Sequence, residues 1–410
     1  MRCFNYTCQG ESHKSTNKEC QDYSLAWQSD DGNTTIAIVC DGHGGSSYFR
    51  SATGARFAAE ATLKQIQQFL SDVNIDTFST QSLISVGTVE KIETETGING
   101  VMRHLFESIY YHWRNAITED GKRKITEWEQ ANVEQNYLDL LNDENRIVKA
   151  YGCTLMAYVQ TKEFWFAFHL GDGKIVMLDS QFAFSQPVPW DEKCFLNKTT
   201  SLCNSEPVKD FRFCVQGNGT FPVAMFLGSD GIDDTFGDGS KLYSFYGDII
   251  KEIATRGQES VETTIKEDLP QLSRIGSQDD MSVAVVYDES KVKEVAMAIN
   301  GYQKCLVEQE MQELLHQKEA KESFIEDIRK KESSIPTPSF LDLLKEIIKE
   351  LKEQIKIAQD KYKLANQQYE TANLDKMRAE ARMAEKELVR VNQQLQHLQE
   401  KQKKLESFVL

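Results

Sequence analysis

The chain has 410 residues, with 47 Lys and Arg against 63 Asp and Glu, so its formal net charge is −16. This length accommodates one large domain with an extension, or two to three ordinary domains. A hydrophobic content of 40% is enough to form a core, and the acidic balance argues against nucleic acid as a partner.

The N-terminal residues and the cysteines favour a cytoplasmic protein. The first residues, MRCFNYTCQGESHK, lack a basic region followed by an apolar one, so we expect no signal peptide. No apolar run reaches the roughly 18 residues of a membrane span. The nine cysteines are scattered and no pair has C-x-x-C spacing, which argues against a zinc site or a disulfide framework. A reducing compartment without membrane contact fits this pattern.

The first stretch of unusual chemistry follows a predicted buried strand over residues 34–40. The sequence IVCDGHGGSS places an acid, a glycine, a histidine and two more glycines directly after that strand. Glycine lets the backbone approach a ligand closely, and Mg²⁺ and Mn²⁺ prefer oxygen ligands. Asp41 is therefore a candidate metal ligand. Helices are predicted after it, over residues 46–69 and 99–118.

Further acidic residues flank other predicted strands. Asp22 begins a β-like run, Asp172 lies in a Gly-Asp-Gly turn between two strands, and Asp230 follows an apolar strand. Asp279 and Asp280 precede the last strand. Any one of them alone is more simply a turn or capping residue, because Asp-Gly is the commonest hairpin signal. Together they predict several carboxylates at one sheet edge, where they can hold hard divalent cations.

The set and order of these motifs resemble the metal-dependent protein phosphatases of the protein phosphatase 2C family, of the bacterial type. Asp41-Gly42-His43-Gly44-Gly45 matches the family's DGHGG signature. The other matching motifs follow in the family's order at residues 17–22, 152–154, 170–174, 229–234 and 279–283. The resemblance covers about residues 1–290. It implies an α+β fold, a four-layer αββα sandwich of two antiparallel sheets flanked by helices.

The resemblance also implies a metal centre with two Mn²⁺ or Mg²⁺ ions and a possible third. Asp41 is expected to bridge two ions, and the carbonyl of Gly42 to bind one of them. The full set of expected ligands is Asp41, Gly42, Asp230, Asp279, Asp22 and Asp172. Asp172, together with Asp230, matches the site of the weaker third ion.

The implied reaction is hydrolysis of phosphoserine or phosphothreonine in a protein substrate. A water shared by the two ions attacks phosphorus, so Asp41 is a catalytic residue as well as a ligand. His43 is the expected general acid that protonates the leaving alkoxide. Such dephosphorylation is typical of signalling.

Three positions depart from the family pattern. Where an arginine often binds phosphate, this chain has His13 nearby, which we predict to bind phosphate in its place, with Lys14 as the alternative. Gln21 replaces a frequent glutamate, so one metal is expected to bind more weakly. Asp280 stands where asparagine is common, as a neighbour of the ligands or as a turn residue. Asp233 and Asp234 in the same part of the chain are read as a charge pair at a helix N-terminus.

The segment between the third and fourth motifs, residues 181–214, corresponds to a flap beside the active site in the family. Pro187, Pro189 and Trp190 predict an ordered loop there. We expect the choice of substrate to depend on this loop.

The C-terminal part has a different composition. Residues 341–410 contain no Gly or Pro and hold 14 Lys and Arg against 12 Asp and Glu, so the acidity belongs to the first part. Apolar residues recur there at steps of three and four, with a slip near residues 373–377, which predicts a coiled coil with a stutter. Such a stripe needs a partner, either a second copy of the chain or another helical protein; a solvated single helix is the alternative.

These features divide the chain into three parts. Residues 1–290 form the predicted catalytic domain, residues 291–338 a helical connector that ends in a linker with two prolines, and residues 339–410 the coiled coil. A rival hypothesis is a catalytically silent phosphatase-like scaffold acting through the coiled coil, which the departure at Gln21 motivates. A two-metal hydrolase acting on nucleotides is the weaker third possibility.

Overall fold

The computed structural model describes residues 1–80, 82–88, 97–195, 198–237 and 239–334, together with individual residues between 383 and 400. The chain divides into two compact units, one formed by residues 1–299 and the other by residues 300–409. The first unit contains all the strands described below.

Eleven strands are present in the described residues. They are β1 (Arg2–Cys8), β2 (Tyr23–Gln28), β3 (Thr35–Cys40), β4 (Ile84–Val86), β5 (Leu155–Gln160), β6 (Trp165–Leu170), β7 (Lys174–Leu178), β8 (Phe184–Ser185), β9 (Arg212–Gln216), β10 (Ala224–Gly228) and β11 (Met281–Tyr287). One sheet has the order β1-β11-β10-β7-β8 and the other β2-β3-β5-β6-β9-β4. Neighbouring strands within each sheet pair antiparallel.

Ten α-helices are described. They are α1 (Glu11–Ser15), α2 (Ser51–Asp72), α3 (Gly97–Gly121), α4 (Glu127–Asn132), α5 (Gln135–Leu138), α6 (Pro207–Asp210), α7 (Asp230–Phe236), α8 (Gly239–Arg256), α9 (Gln258–Ile275) and α10 (Val292–Ser334). Short 3-10 helices span Ser46–Tyr48, Ile75–Phe78, Asp139–Asn142 and Ile147–Tyr151.

The two sheets face each other and helices cover their outer faces. Alternate residues of facing strands, among them Val39, Met156, Met225 and Val286, form an apolar layer between the sheets. A larger core lies between α2, α3 and the second sheet. On the first sheet, Tyr246 of α8 stacks on Phe226 of β10 with ring centroids 4.4 Å apart. The fold is therefore the αββα sandwich that the sequence predicts.

The predicted helix over residues 46–69 begins later in the structure. After the 3-10 turn Ser46–Tyr48 the chain changes direction at Arg50, whose N–H donates to the carbonyl of Ala150 at 2.9 Å. The α-helix starts only at the following residue, Ser51.

The second unit includes most of α10 and the described tail residues. Val391 packs with Val307 and Leu314 in a small buried cluster, so tail and α10 residues share apolar contacts. The linker residues 335–340 and most of the predicted coiled-coil stripe lie outside the described residues. Among the residues described, no helix has the length and apolarity needed to cross a membrane.

Candidate metal centre and active site

Four of the acidic residues predicted from strand ends meet in one cavity. Asp41 follows β3, and Asp172 lies between β6 and β7. Asp230 starts α7 after β10, and Asp279 lies two residues before the start of β11. The cavity has a volume of about 430 Å³. Its lining residues are His13, Asp41, Gly42, His43, Gly44, Asp172, Trp190, Cys194, Lys198, Thr199, Asp230, Asp233, Asp234 and Asp279.

Asp41, Asp172 and Asp230 form the centre of this cavity. One carboxylate oxygen of each lies within 4.8 Å of the others. Burial, followed by the charges of Asp22 and Asp172, raises the pKa of Asp41 well above its usual value. The charge of Asp41, followed by burial, does the same to the pKa of Asp230, and burial raises the pKa of Asp172.

This arrangement fits divalent cations. Three carboxylates held this close repel one another unless protons or cations compensate their charge, and hard cations take carboxylate oxygens. One oxygen of Asp172, Oδ1, is buried and has no hydrogen-bond partner, so it retains a free lone pair for a ligand. The donor set contains oxygen only, which favours Mg²⁺ or Mn²⁺ over softer metals.

The remaining predicted ligands differ in position. Asp279 lines the cavity with a side chain that is 54% exposed. Asp22 does not line it: the residue is 7% exposed, and burial, then the charges of Asp280 and Asp230, raises the pKa of its carboxyl. Asp22 is thus buried, and its carboxyl interacts electrostatically with those of Asp41 and Asp230.

Gly42 is fixed by its neighbours. A Cβ atom at this position would lie 2.4 Å from the carbonyl oxygen of Gln21 and 3.0 Å from that of Ser51. Only glycine fits such a close approach of three backbone segments. Gly42 also pairs with Cys153 in an isolated β-bridge, which holds the DGHGG turn against β5.

His43 lies at the edge of the cavity and is packed on several sides. Its Nε2 is 2.7 Å from Oγ of Ser201, and its ring meets that of Tyr48 edge-on with centroids 4.8 Å apart. Burial, followed by the charge of Lys149, lowers the pKa of His43 to about 4. The imidazole is therefore neutral at neutral pH before substrate or metal enters.

His13 also reaches the cavity, from α1. Its Nδ1 is 2.9 Å from Oδ1 of Asp280, and its Nε2 is 3.9 Å from Oδ1 of Asp279. Asp280 is 2% exposed and accepts the N–H groups of Gly10 and Gln21, each at 2.6 Å. Burial alone would raise the pKa of Asp280, but the hydrogen bonds from His13, Gly10 and Gln21 lower it on balance. Asp280 therefore ties the N-terminal segment to the site.

Gln21, the departure from the family's glutamate, points elsewhere. Its side-chain amide donates to Oγ of Ser51, and it does not line the cavity. Asp233 and Asp234 are in the first turns of α7 as predicted, and they also line the cavity. Asp233 forms an ion pair with Lys174 at 2.6 Å, a role that sequence reasoning missed.

The flap contributes residues that no motif indicated. Trp190, Cys194, Lys198 and Thr199 line the cavity, and Ser201 contacts His43. Buried polar residues hold this loop in place. Oγ1 of Thr200 donates to Oδ2 of Asp191 at 2.9 Å. The guanidinium of Arg212 donates to the backbone carbonyls of Pro189 and Gly171. The prolines predicted an ordered loop, but nothing in the sequence showed which of its side chains face the site.

The crowded carboxylates predict that the metal-free protein gains stability when one is neutralised. Asp41 and Asp230 have a raised pKa in the folded chain, so the folded state holds protons that the unfolded state has released. The free energy of unfolding therefore falls as pH rises from about 4, the pKa of these carboxyls in the unfolded chain, toward their higher pKa in the folded chain. In chelator at pH 7.5, Asp41→Asn is expected to raise Tm by about 2–4 °C for each kcal/mol relieved.

Thermal denaturation between pH 5 and pH 8 measures this effect. The advantage of the variant should shrink toward pH 5, and Mn²⁺ should stabilise the wild type more than the variant. Asp30→Asn, at an exposed position between β2 and β3, is the control and should leave Tm unchanged. A metal-free wild type as stable as Asp41→Asn at every pH would contradict the expected repulsion.

The chain is similar to known proteins in sequence and in structure. The sequence model described as Protein phosphatase 2C matches residues 9–270. No curated protein sequence matches the chain significantly. Similar solved structures include the catalytic domain of the serine/threonine protein phosphatase PstP in complex with two manganese ions, at 15% identity, covering 69% of this chain and 96% of that one with a TM-score of 0.40.

Two further solved structures are similar at the same level. Stp1 from Staphylococcus aureus has 12% identity and covers 70% of this chain and 95% of its own, with a TM-score of 0.40. PppA from Pseudomonas aeruginosa has 12% identity and covers 69% and 96%, with a TM-score of 0.38. The family assignment rests on the match over residues 9–270, which spans more than half of the sequence. The chain belongs to the protein phosphatase 2C family.

Proposed function

We propose that this protein is a Mn²⁺- or Mg²⁺-dependent phosphatase that hydrolyses phosphoserine and phosphothreonine in proteins. The observation that carries the proposal is the cluster of Asp41, Asp172 and Asp230, whose oxygens lie within 4.8 Å of one another in the cavity that also contains His43. Family membership supports the reaction class.

The carboxylates supply the metal ligands. Asp41 and Asp230 would hold two ions together with Asp279 and the carbonyl of Gly42, and Asp172 would contribute to a third. When bound, the ions supply an activated water and neutralise charge on the phosphoryl oxygens. Asp22, a buried neighbour of the cluster, would add to this ligand set as the sequence predicts.

The two histidines would act on the phosphoryl group. His43 would give a proton to the leaving alkoxide, and the negative charge of a bound phosphate would raise the pKa of the imidazole toward the range this role needs. His13 would bind a phosphate oxygen through Nε2, because Asp280 lies against its other nitrogen. The flap residues Trp190 and Lys198 would contact the substrate peptide beside the phosphorylated residue.

Hydrolysis of a phosphothreonine peptide tests the proposal. With Mn²⁺ the wild type should release phosphate, with excess chelator it should not, and a nucleoside triphosphate should be a poor substrate. Hydrolysis of the nucleotide but not of the peptide would support a different two-metal hydrolase. No release from any phosphorylated substrate in Mn²⁺ or Mg²⁺ would overturn the proposal and support a catalytically silent scaffold.

We further propose that the C-terminal tail associates with a helical partner, either a second copy of this chain or another protein. The apolar repeat of residues 341–410 motivates this proposal, whereas the cluster of Val307, Leu314 and Val391 is a packing contact within one chain. A truncated chain ending at Ser334 is expected to form smaller particles than the full chain by light scattering. An equal number of chains per particle in both would rule out self-association through the tail.

A further inference from the structure

Ser201 occupies an unusual position beside His43. Its Oγ is 2.7 Å from Nε2 of His43, and the residue is only 1% exposed. Ser201 lies on the loop that closes over the DGHGG turn, far from His43 in sequence, and no family motif in this sequence includes it. The contact therefore results from the fold of the flap.

The other contacts of Ser201 favour one direction of this hydrogen bond. Its hydroxyl donates to the carbonyl of Cys153 at 3.0 Å, a stronger acceptor than Sγ of Cys203 at 3.3 Å. The N–H of Cys203 donates to the same Oγ at 3.3 Å. The arrangement that satisfies both contacts directs the Ser201 proton to the carbonyl and lets the Ser201 oxygen accept from Nε2–H of His43.

The ring of His43 has little freedom to leave this hydrogen bond. Its backbone N–H donates to the carbonyl of Gly152 at 3.1 Å. A Cβ at Gly152 would lie 2.8 Å from Cδ2 of His43 and 2.7 Å from Cδ1 of Tyr48, so the glycine leaves room for both rings. Tyr48 packs edge-on against the imidazole. Backbone, aromatic ring and serine together define one orientation.

We infer that Ser201 is a positioning residue. By accepting from Nε2–H it holds the orientation of His43 and leaves Nδ1 as the nitrogen that takes up a proton from water when the phosphorylated substrate binds and then gives that proton to the leaving alkoxide. This inference rests on the proposed function, because it assigns His43 the role of general acid. It predicts that Ser201 matters only for substrates whose leaving group must be protonated. A serine or threonine alkoxide is such a group, whereas p-nitrophenolate leaves without a proton.

The test compares two substrates in Mn²⁺, a phosphothreonine peptide and p-nitrophenyl phosphate. Ser201→Ala is expected to lower kcat for the peptide by roughly 10–100-fold, a part of the 10²–10⁴-fold that general acid catalysis contributes. The kcat for p-nitrophenyl phosphate should change by less than about twofold, since no acid is needed. Ser205→Ala, at an exposed position on the same loop, is the matched control and should change neither rate.

A double-mutant cycle separates positioning from general damage. In a His43→Ala background, Ser201→Ala should cause no further loss with the peptide. Ser201→Cys, which preserves the volume of the side chain but accepts hydrogen bonds weakly, should reproduce the selective loss if the alanine variant does not fold.

The outcomes distinguish this inference from the proposed function. Three outcomes with an active wild type would overturn the role of Ser201 alone. The Ser201 variants could lose kcat equally for both substrates, they could lose kcat for neither, or Ser201→Ala could lower kcat further in the His43→Ala background. A wild type inactive on both substrates would overturn the phosphatase proposal and the role of Ser201 with it.

Discussion

Asp230→Asn should lower the Mn²⁺-dependent hydrolysis of a phosphothreonine peptide by about 10²–10³-fold, the effect of losing several kcal/mol of metal-supplied stabilisation. Asp230 starts α7 and belongs to the three-carboxylate cluster. The substitution preserves the shape of the side chain but removes the charge that holds a cation. Steady-state kinetics over a range of Mn²⁺ concentrations measures the loss.

Asp234→Asn is the matched control for this prediction. Asp234 lines the same cavity and is on the same helix, but it does not belong to the three-carboxylate cluster. If Asp230 acts as a ligand, the control should lose less than about tenfold. Equal losses in both variants would mean that the total negative charge of the cavity, rather than a ligand set, supports the reaction. A fully active Asp230→Asn would contradict the metal centre.

The carboxylate cluster was predictable because its signal is local. Each of Asp41, Asp172, Asp230 and Asp279 lies within a few residues of a strand whose apolar composition identifies it, and all four line one cavity in the structure. The sandwich fold was predicted from the family resemblance that these motifs carry. Burial of strand β3 was also predictable from its sequence: all six of its residues are buried, as its apolar composition predicts.

The contacts that orient the site were not predictable in the same way. The sequence left Asp280 open as a neighbour of the ligands or a turn residue. In the structure it accepts hydrogen bonds from Gly10 and Gln21, which are more than 250 residues away in sequence. The pairing of Ser201 with His43 depends on how the flap folds, and a loop without periodicity carries no signal for it. Long-range polar contacts of single residues leave no pattern in one sequence.

Arg50 is the clearest case of such a contact, and it gives the largest expected effect on stability. The residue is 1% exposed, and its Nε donates to Glu129 at 2.6 Å. Its Nη1 donates to the hydroxyl of Tyr151 at 2.7 Å and to the carboxylate of Asp120 at 3.3 Å. Arg50→Met should lower the free energy of unfolding by about 3–5 kcal/mol, because it removes the buried cation that pairs with the buried Glu129. Urea denaturation at pH 7 measures it.

The pH dependence of this loss identifies its cause. Burial alone would raise the pKa of Glu129, but the hydrogen bonds from Arg50 and Thr126 lower it to about 2. A carboxyl with a lowered folded pKa stabilises the protein above its unfolded pKa of about 4.3, and this stabilisation disappears as pH falls toward 2. The difference between wild type and Arg50→Met should therefore shrink across that range.

Arg123→Met distinguishes the buried ion pair from the mere presence of a cation near Glu129. Arg123 also contacts Glu129, at 3.1 Å, but its side chain is 37% exposed. An exposed pair contributes about 0–1 kcal/mol, so this variant should unfold close to the wild type at every pH. If both arginine variants lost the same stability, burial would not be the reason that Arg50 matters. If neither variant lowered the free energy of unfolding, backbone contacts would hold the junction between the DGHGG turn and α2, chiefly the hydrogen bond from Arg50 to the carbonyl of Ala150.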